Sequence, residues 1–472
     1  MANQLTQYLK TATQPKYRRL MAAFGLFIYF YLEAELLFTN NIGEKMGESA
    51  GTMFYGFFCL AAAIGFFSFA FLCRLIPAAS MRRLIFILGG IGVVSTLAAS
   101  FTDGQLLPAF TLLAMLMVGI VGACLLFIVA VNVKEKSIMG LFIALPYVFA
   151  FILQYILGFI VPLFGGSQIL IQHIILAAAL FAAFVLTPKR AEDSARRHEA
   201  SAGKEAEKKG ATKKYLVGAL AALILIACLY GLVDGIIMTL HTGQQLNVYG
   251  WVRLLCVPGL LLAGWTMDFR EGRYFPFATV AAFVALIIAL FLFNEAETFN
   301  AALGSVYFLC SFMTMYSLGI FVRVADQSGK AAFWASAGRG IKYLMGGIFV
   351  LLGAFVFSNF SLIAFSVIYL ILLVLLFIIL YFQGKLNPAG IVLKETEPAT
   401  DMPLSESIKE YGFTNRETEV LNYMLKGWTT AAIAERMNIR EHTVQKYVSS
   451  MMAKSFSSSR AILVTKFSAR NN

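Results

Sequence analysis

Between residues 20 and 382 the chain alternates long apolar runs with short polar connections, and after that the pattern changes to the mixed spacing of a soluble helical domain. A helix that crosses a bilayer needs about 20 mostly apolar residues. Runs of that kind fall near 20–39, 52–73, 84–101, 106–131, 139–161 and 167–187, then 215–239, 247–267, 274–293, 300–321, 341–358 and 361–382. The pattern predicts twelve spans in two membrane halves of six, 20–187 and 215–382. Residues 188–214 separate them, rich in Ala, Lys and Glu and without large apolar side chains, so they read as a charged cytoplasmic linker that builds no core. Residues 1–19 read as a polar, basic cytoplasmic leader to the first span, without the cleavage site of a signal peptide. Residues 383–410, with Pro388, Pro398 and Pro403 and no apolar period, read as a flexible tether. A coil of ~25 residues spans about 28 Å.

The last segment, 411–470, has helical signals in close order. Thr414 with Glu417 three residues on is a capping box, predicting a helix through Leu425. Thr429 or Thr430 starts a second helix that buries Ile433, Ala434 and Met437. Asn438 stands where the turn needs the left-handed region. A third helix is expected from about Glu441 to Lys454 with Val444, Val448 and Met451 inward, and a fourth over Ser458–Phe467.

Composition supports the membrane reading. The chain of 472 residues is 59% hydrophobic and 14% charged, with a mean hydropathy of +0.75, where a soluble domain is about a quarter charged. The net charge of +12 therefore bears first on topology. Its cations gather on one side: Lys10, Lys16, Arg18 and Arg19; Arg74, Arg82 and Arg83; Lys134 and Lys136; the linker; Arg270 and Arg273; and Arg323, Lys330, Arg339 and Lys342. The opposite loops hold only Lys45. The basic side is cytoplasmic by the positive-inside rule, which puts both termini in the cytoplasm. The six cysteines lie in apolar stretches without CxxC spacing or a histidine cluster, so neither a disulfide framework nor a metal site is expected, and nothing calls for a cofactor.

Charges inside spans are costly and point to function. Glu33 and Glu35 lie in the first span, Asp234 in the seventh and Arg253 in the eighth; counting helical rise puts all four in the outer half of the membrane. These four are the candidate ligand site. Two readings stay open: Asp234 and Arg253 form a structural pair, or Arg253 with neighbouring aromatics holds an anionic ligand while the glutamates carry protons or bind a cation. Glu33 and Glu35, two residues apart, cannot share one face, so at most one looks into a cavity. His241, at the outer end of span seven, reads as an interface residue.

Two resemblances follow from these residues. Gly264-Trp-Thr-Met-Asp268-Phe-Arg270-Glu-Gly272-Arg273 is similar to the major facilitator superfamily motif G-x-x-x-D-[RK]-x-G-[RK], with Phe269 in the first basic position. The corresponding first-half loop keeps Arg82 and Arg83 but has Arg74 where the acid belongs. Tyr55-Gly56-Phe57 and Tyr249-Gly250-Trp251 open spans two and eight alike, consistent with a parallel six-helix repeat. The resemblance implies a central cavity lined by spans one and seven, and a conformational or structural role for Asp268, Gly272, Arg273 and Arg323, with Asp268 and Arg323 as partners.

The tail resembles the LuxR-type (GerE) helix-turn-helix. The family's LT-x-RE-x-EVL appears as Phe413 to Leu421, its x-G-x-[ST]-x-x-x-IA-x-x-L as Lys426 to Met437, and its T-V-K-x-H-[VI] as Thr443 to Val448. Gln445, Tyr447 and Asn438 replace the usual Lys, His and Gly. The resemblance implies a homodimer on double-stranded DNA, formed through the last helix. A recognition helix reads base edges from its outer face, here Glu441, His442, Gln445, Lys446 and Ser449, with Thr430, Arg440, Thr443 and Lys454 as further DNA-binding candidates. Nine basic residues against four acidic ones in 411–470 give a surplus of five for phosphate attraction. No Walker loop, kinase motif or catalytic triad is present.

The expected architecture is all-α: a twelve-helix, facilitator-like membrane bundle followed by a small four-helix DNA-binding domain. The expected function is a membrane-embedded, non-enzymatic transcriptional regulator that senses an unknown small molecule from the bilayer. The alternative is a transporter with an appended regulatory domain.

Overall fold

The structure, a computed structural model, describes residues 15–75, 78–133, 136–187, 210–248, 250–292, 296–328, 330–360, 362–384 and 411–455, with 457, 460, 463, 464 and 467. The leader before residue 15, the linker 188–209, the tether 385–410, Tyr249 and most of the expected fourth tail helix lie outside the described residues. The chain forms two compact units, Met1–Val392 and Leu393–Asn472.

Twelve long helices make up the described part of the first unit. They are α1 (Pro15–Met46), α2 (Glu48–Leu75), α3 (Ala78–Phe101), α4 (Leu106–Asn132), α5 (Met139–Ile160), α6 (Gln168–Leu186), α7 (Gly210–Thr242), α8 (Cys256–Asp268), α9 (Phe275–Phe291), α10 (Phe299–Met315), α11 (Ala331–Asn359) and α12 (Leu362–Gly384). Most are long and apolar enough to cross a membrane, and their lipid-facing sides carry exposed Phe, Ile, Leu and Val. Helices are the spanning solution here because each satisfies its own backbone hydrogen bonds.

The packing has a repeat. Within the first half α2 and α3 pack on α4, and α1 on α6; within the second, α8 and α9 pack on α10, and α7 on α12. Between halves, α2 meets α11 and α5 meets α8. Each partner is six helices from its counterpart, the relation expected of a duplicated six-helix unit. The interfaces close through small residues, as in membranes generally. A Cβ on Gly65 would sit 2.2 Å from the Leu116 carbonyl oxygen, and one on Gly353 2.4 Å from that of Leu232.

The start of the eleventh helix departs from the hydropathy pattern. The expected span began at 341, with Arg339 and Lys342 counted as loop or membrane-boundary cations. The helix begins at Ala331, and its first turns (AAFWASAGRG) are buried in protein. Helix α10 runs on through a π-turn, Tyr316–Ile320, to a last turn at Phe321–Val324. Gly338 lets α11 approach that turn; a Cβ there would be 2.0 Å from the Ser317 oxygen.

The second unit contains α13 (Asn415–Leu425), α14 (Thr430–Arg436) and α15 (Glu441–Ser455). Val420, Leu421, Met424, Ile433, Ala434, Val444, Val448 and Met451, with Leu463 and Phe467, form its core. Met437 packs against that core from a partly exposed position.

Candidate ligand cavity and nucleic-acid interface

A cavity of about 100 Å³ lies between the two six-helix halves. Glu35 of α1, Asp234 of α7 and Arg253, just before α8, all line it. Glu33 points elsewhere: its carboxylate accepts from Gln154 Nε2 of α5. The two glutamates therefore part as their spacing requires. Glu35 lies beside Cys59, whose Sγ is 3.7 Å from the carboxylate.

Asp234 is held by two tyrosines. Tyr55 Oη donates at 2.8 Å and Tyr230 Oη lies at 3.4 Å. The Arg253 guanidinium packs 5.5 Å from the Phe151 ring centre and 5.8 Å from that of Tyr307, so both charges belong to one aromatic-walled chamber.

Two cavity residues escaped the sequence reading. Arg339 and Lys342 of α11 line the same chamber and are 5% and 7% exposed. This corrects the assignment of Arg339 and Lys342 to the cytoplasmic boundary. The Arg339 guanidinium lies 4.6 Å from the Tyr343 ring centre, 5.6 Å from Tyr31 and 5.7 Å from Tyr147. Lys342 Nζ is 4.3 Å from the Tyr343 centre and 5.4 Å from Tyr230. Such ring faces stabilise cations where water is excluded. The available signal was the run Ala335, Ala337, Gly338 and Gly340, small residues that mark tight helix packing even where mean hydropathy is low.

His241 does more than meet an interface. Its Nε2 lies 2.9 Å from Asn40 Oδ1 and its Nδ1 3.1 Å from the Leu246 carbonyl oxygen, tying α7 to α1. Lys45, in the last turn of α1, pairs with Asp103.

At the opposite end, Asp268 caps the first turn of α5. Its two carboxylate oxygens accept from the backbone N–H groups of Gly140 and Leu141, both at 2.8 Å. A carboxylate there satisfies orphan donors and faces the positive end of the helix dipole. Gly140 makes room for it, since a Cβ would lie 2.4 Å from the Gly264 oxygen and 3.0 Å from Asp268 Oδ1. Arg323, expected as the partner of Asp268, donates from Nη1 at 2.9 Å to the Met267 carbonyl, one residue earlier in the chain. Gly272 turns there with φ +78° and Arg273 is exposed. Lys136, counted among the loop cations of the basic side, is buried against Asp326 Oδ2 at 2.8 Å and the Ala130 oxygen at 2.7 Å.

The second unit follows its sequence signals closely. Thr414 and Glu417 form a capping box, with the Thr414 N–H 2.7 Å from Glu417 Oε2. Thr429 caps α14. Asn438 has φ +52°. On α15, Glu441, His442, Gln445, Lys446 and Ser449 are exposed together, Arg440 is exposed just before it, and Thr443 is half-buried. Two candidates have intramolecular partners. Lys454 Nζ donates to Glu417 Oε2 at 2.6 Å and to the Gly412 oxygen at 3.1 Å. Thr430 Oγ1 accepts from Arg460 Nη1, whose other amine reaches the Trp428 oxygen. Burial alone would raise the Glu417 pKa, but Lys454, Ser450 and the Thr414 N–H reverse that and bring it to about 2.

Comparison with known proteins matches this division. Residues 412–466 match the family of bacterial regulatory proteins, luxR family, so the second unit is a LuxR-type helix-turn-helix. The chain superposes on the Escherichia coli fucose:proton symporter FucP with a TM-score of 0.51 at 13% identity, covering 78% of this chain and 98% of that one. With the human organic anion transporter MFSD10 (TETRAN) the TM-score is 0.52 at 16% identity, over 78% and 100%. At such identities the likeness is one of fold. No curated protein sequence matches the chain. The protein joins a multi-pass membrane bundle with the fold of these transporters to a LuxR-type DNA-binding domain.

Proposed function

We propose that this protein is a one-component transcriptional regulator that senses a small molecule through its membrane domain and acts on DNA through its tail. The observation that carries the reading is a LuxR-type DNA-binding domain on the same chain as a membrane bundle with a charged, tyrosine-lined cavity. Both termini lie in the cytoplasm on this reading, supported by the cation asymmetry of the loops. The exposed set Arg440, Glu441, His442, Gln445, Lys446 and Ser449 reads the major groove, with Gln445 suited to adenine and Lys446 to guanine or phosphate. Two tails bind as a homodimer. Glu35, Asp234 and Arg253 contribute to ligand recognition; Glu33, on Gln154, supports α1 against α5.

The transporter alternative has its own support: the fold likeness and the Asp268 cap between halves. One experiment separates the two. A reporter is placed behind DNA selected by the tail, and the full chain is compared with Glu35→Gln, Asp234→Asn and Arg253→Gln variants that reach the membrane in normal amount. Regulation predicts altered reporter output in the variants and no uptake by the tail-deleted protein. Unchanged output, with uptake by the tail-deleted protein, would reject the sensor and establish the transporter.

A further inference from the structure

Asp234 and Arg339, both on the cavity wall, differ in how well they are satisfied. Asp234 already accepts from two tyrosines. On the basic side, Arg339 Nη1 is buried with no hydrogen-bond partner among the described residues, and so is the hydroxyl of Tyr31, which also lines the cavity. Neither Arg339 nor Lys342 forms an ion pair within 4 Å with Glu35 or Asp234 among the described residues. The arginine is only 5% exposed, so water contributes little. A guanidinium stays charged at any physiological pH, and a buried charged donor without an acceptor is costly. The rings of Tyr31, Tyr147 and Tyr343 stand 5.6, 5.7 and 4.6 Å from its central carbon, and Nη1 is the donor left for an acceptor. Lys342, three residues on, shares that helical face and adds a second basic group.

We propose that Arg339 is the anchor of a carboxylate subsite and that the cavity takes a small organic acid with a ring-bearing body. A carboxylate matches the guanidinium fork with two parallel hydrogen bonds, which a neutral amide cannot reproduce. Tyr31 supplies a third donor. The rest of the acid lies among Tyr55, Tyr147, Phe151, Tyr230 and Tyr307, which offer ring faces and edges to an apolar, flat body. Three basic side chains and two acidic ones line the chamber, and a single carboxylate on the ligand balances that count. The subsite rests on the sensing reading only in that both use this cavity; carboxylate binding stands or falls separately.

The test uses the full chain in detergent, with thermal unfolding as readout. Benzoate, 4-hydroxybenzoate and phenylacetate are each compared with the corresponding amide, and inorganic phosphate serves as a free oxyanion without a ring. The acids are expected to raise Tm, and the amides and phosphate to leave it unchanged. Arg339→Gln should weaken acid binding roughly tenfold to a hundredfold. Tyr31→Phe, which removes one hydroxyl and keeps the ring, should weaken it several-fold and covers the case in which the arginine variant does not fold. Acids and amides that stabilise alike, no stabilisation by any of the three acids, or a Tyr31→Phe variant and a folded Arg339 variant that bind acids as the wild type does would overturn the proposal. Binding through Arg339 without any change in reporter output would leave the subsite in place and remove the sensing role instead.

Discussion

The Glu417–Lys454 contact makes a sharp prediction about the tail domain. Glu417 is 3% exposed and receives hydrogen bonds from Lys454, Ser450 and the Thr414 N–H, so it joins α13 to α15. Its pKa falls from an ordinary 4.5 to about 2. The folded-state value is depressed, so the stabilisation is fully present above pH ~5 and is lost as pH falls through 4.5 towards 2. A tenfold change in proton affinity is worth about 1.4 kcal/mol, which puts the ceiling at roughly 3 kcal/mol. The Lys454 side chain is 33% exposed, so solvent screens part of the attraction and about 1–3 kcal/mol is expected. For a domain of this size that is a large share of total stability. The domain has its own core, so urea unfolding of residues 405–472 can be followed by circular dichroism from pH 7 to pH 2. Wild type should lose about 1–3 kcal/mol more over that range than Glu417→Gln. Parallel curves would refute the reasoning. Lys454→Ala should destabilise the domain at pH 7 and weaken DNA binding only through unfolding.

Gln445→Ala and Lys446→Ala should each cost roughly 1–3 kcal/mol at the preferred operator if they read bases, whereas Arg440→Ala should weaken all sequences alike and lower the salt slope; filter binding over a salt series distinguishes them. Gly140→Ala should lower the Tm of the full chain by disrupting the Asp268 cap, at about 1–3 kcal/mol for overpacking. Gly158→Ala, with nothing within 4 Å of the new methyl, should not. Neutralising both Lys136 and Asp326 should cost less than neutralising either alone, because each single change leaves a buried charge; Tm measurements on the three variants form the required cycle.

The tail was legible in the sequence because its determinants are local. A capping box, a residue tolerant of positive φ at 438 and apolar positions at helical spacing each act within a few residues, and α13, α14 and α15 begin where Thr414, Thr429 and Glu441 direct. The membrane character of the first unit was equally legible, since transfer into lipid depends on the summed hydropathy of about 20 residues. The direction of each charge was not. Hydropathy measures how a segment tolerates lipid, and the first turns of α11 face protein, so small residues and two cations fit there at a position the sequence read as loop. The partition of Glu33 to Gln154 and Glu35 to the cavity follows from where α2, α5 and α11 stand around α1. Asp268 met backbone N–H groups 127 and 128 residues away, because α5 packs against α8 across the two halves. Contacts between residues so far apart in the chain leave no local pattern, and only the assembled bundle decides them.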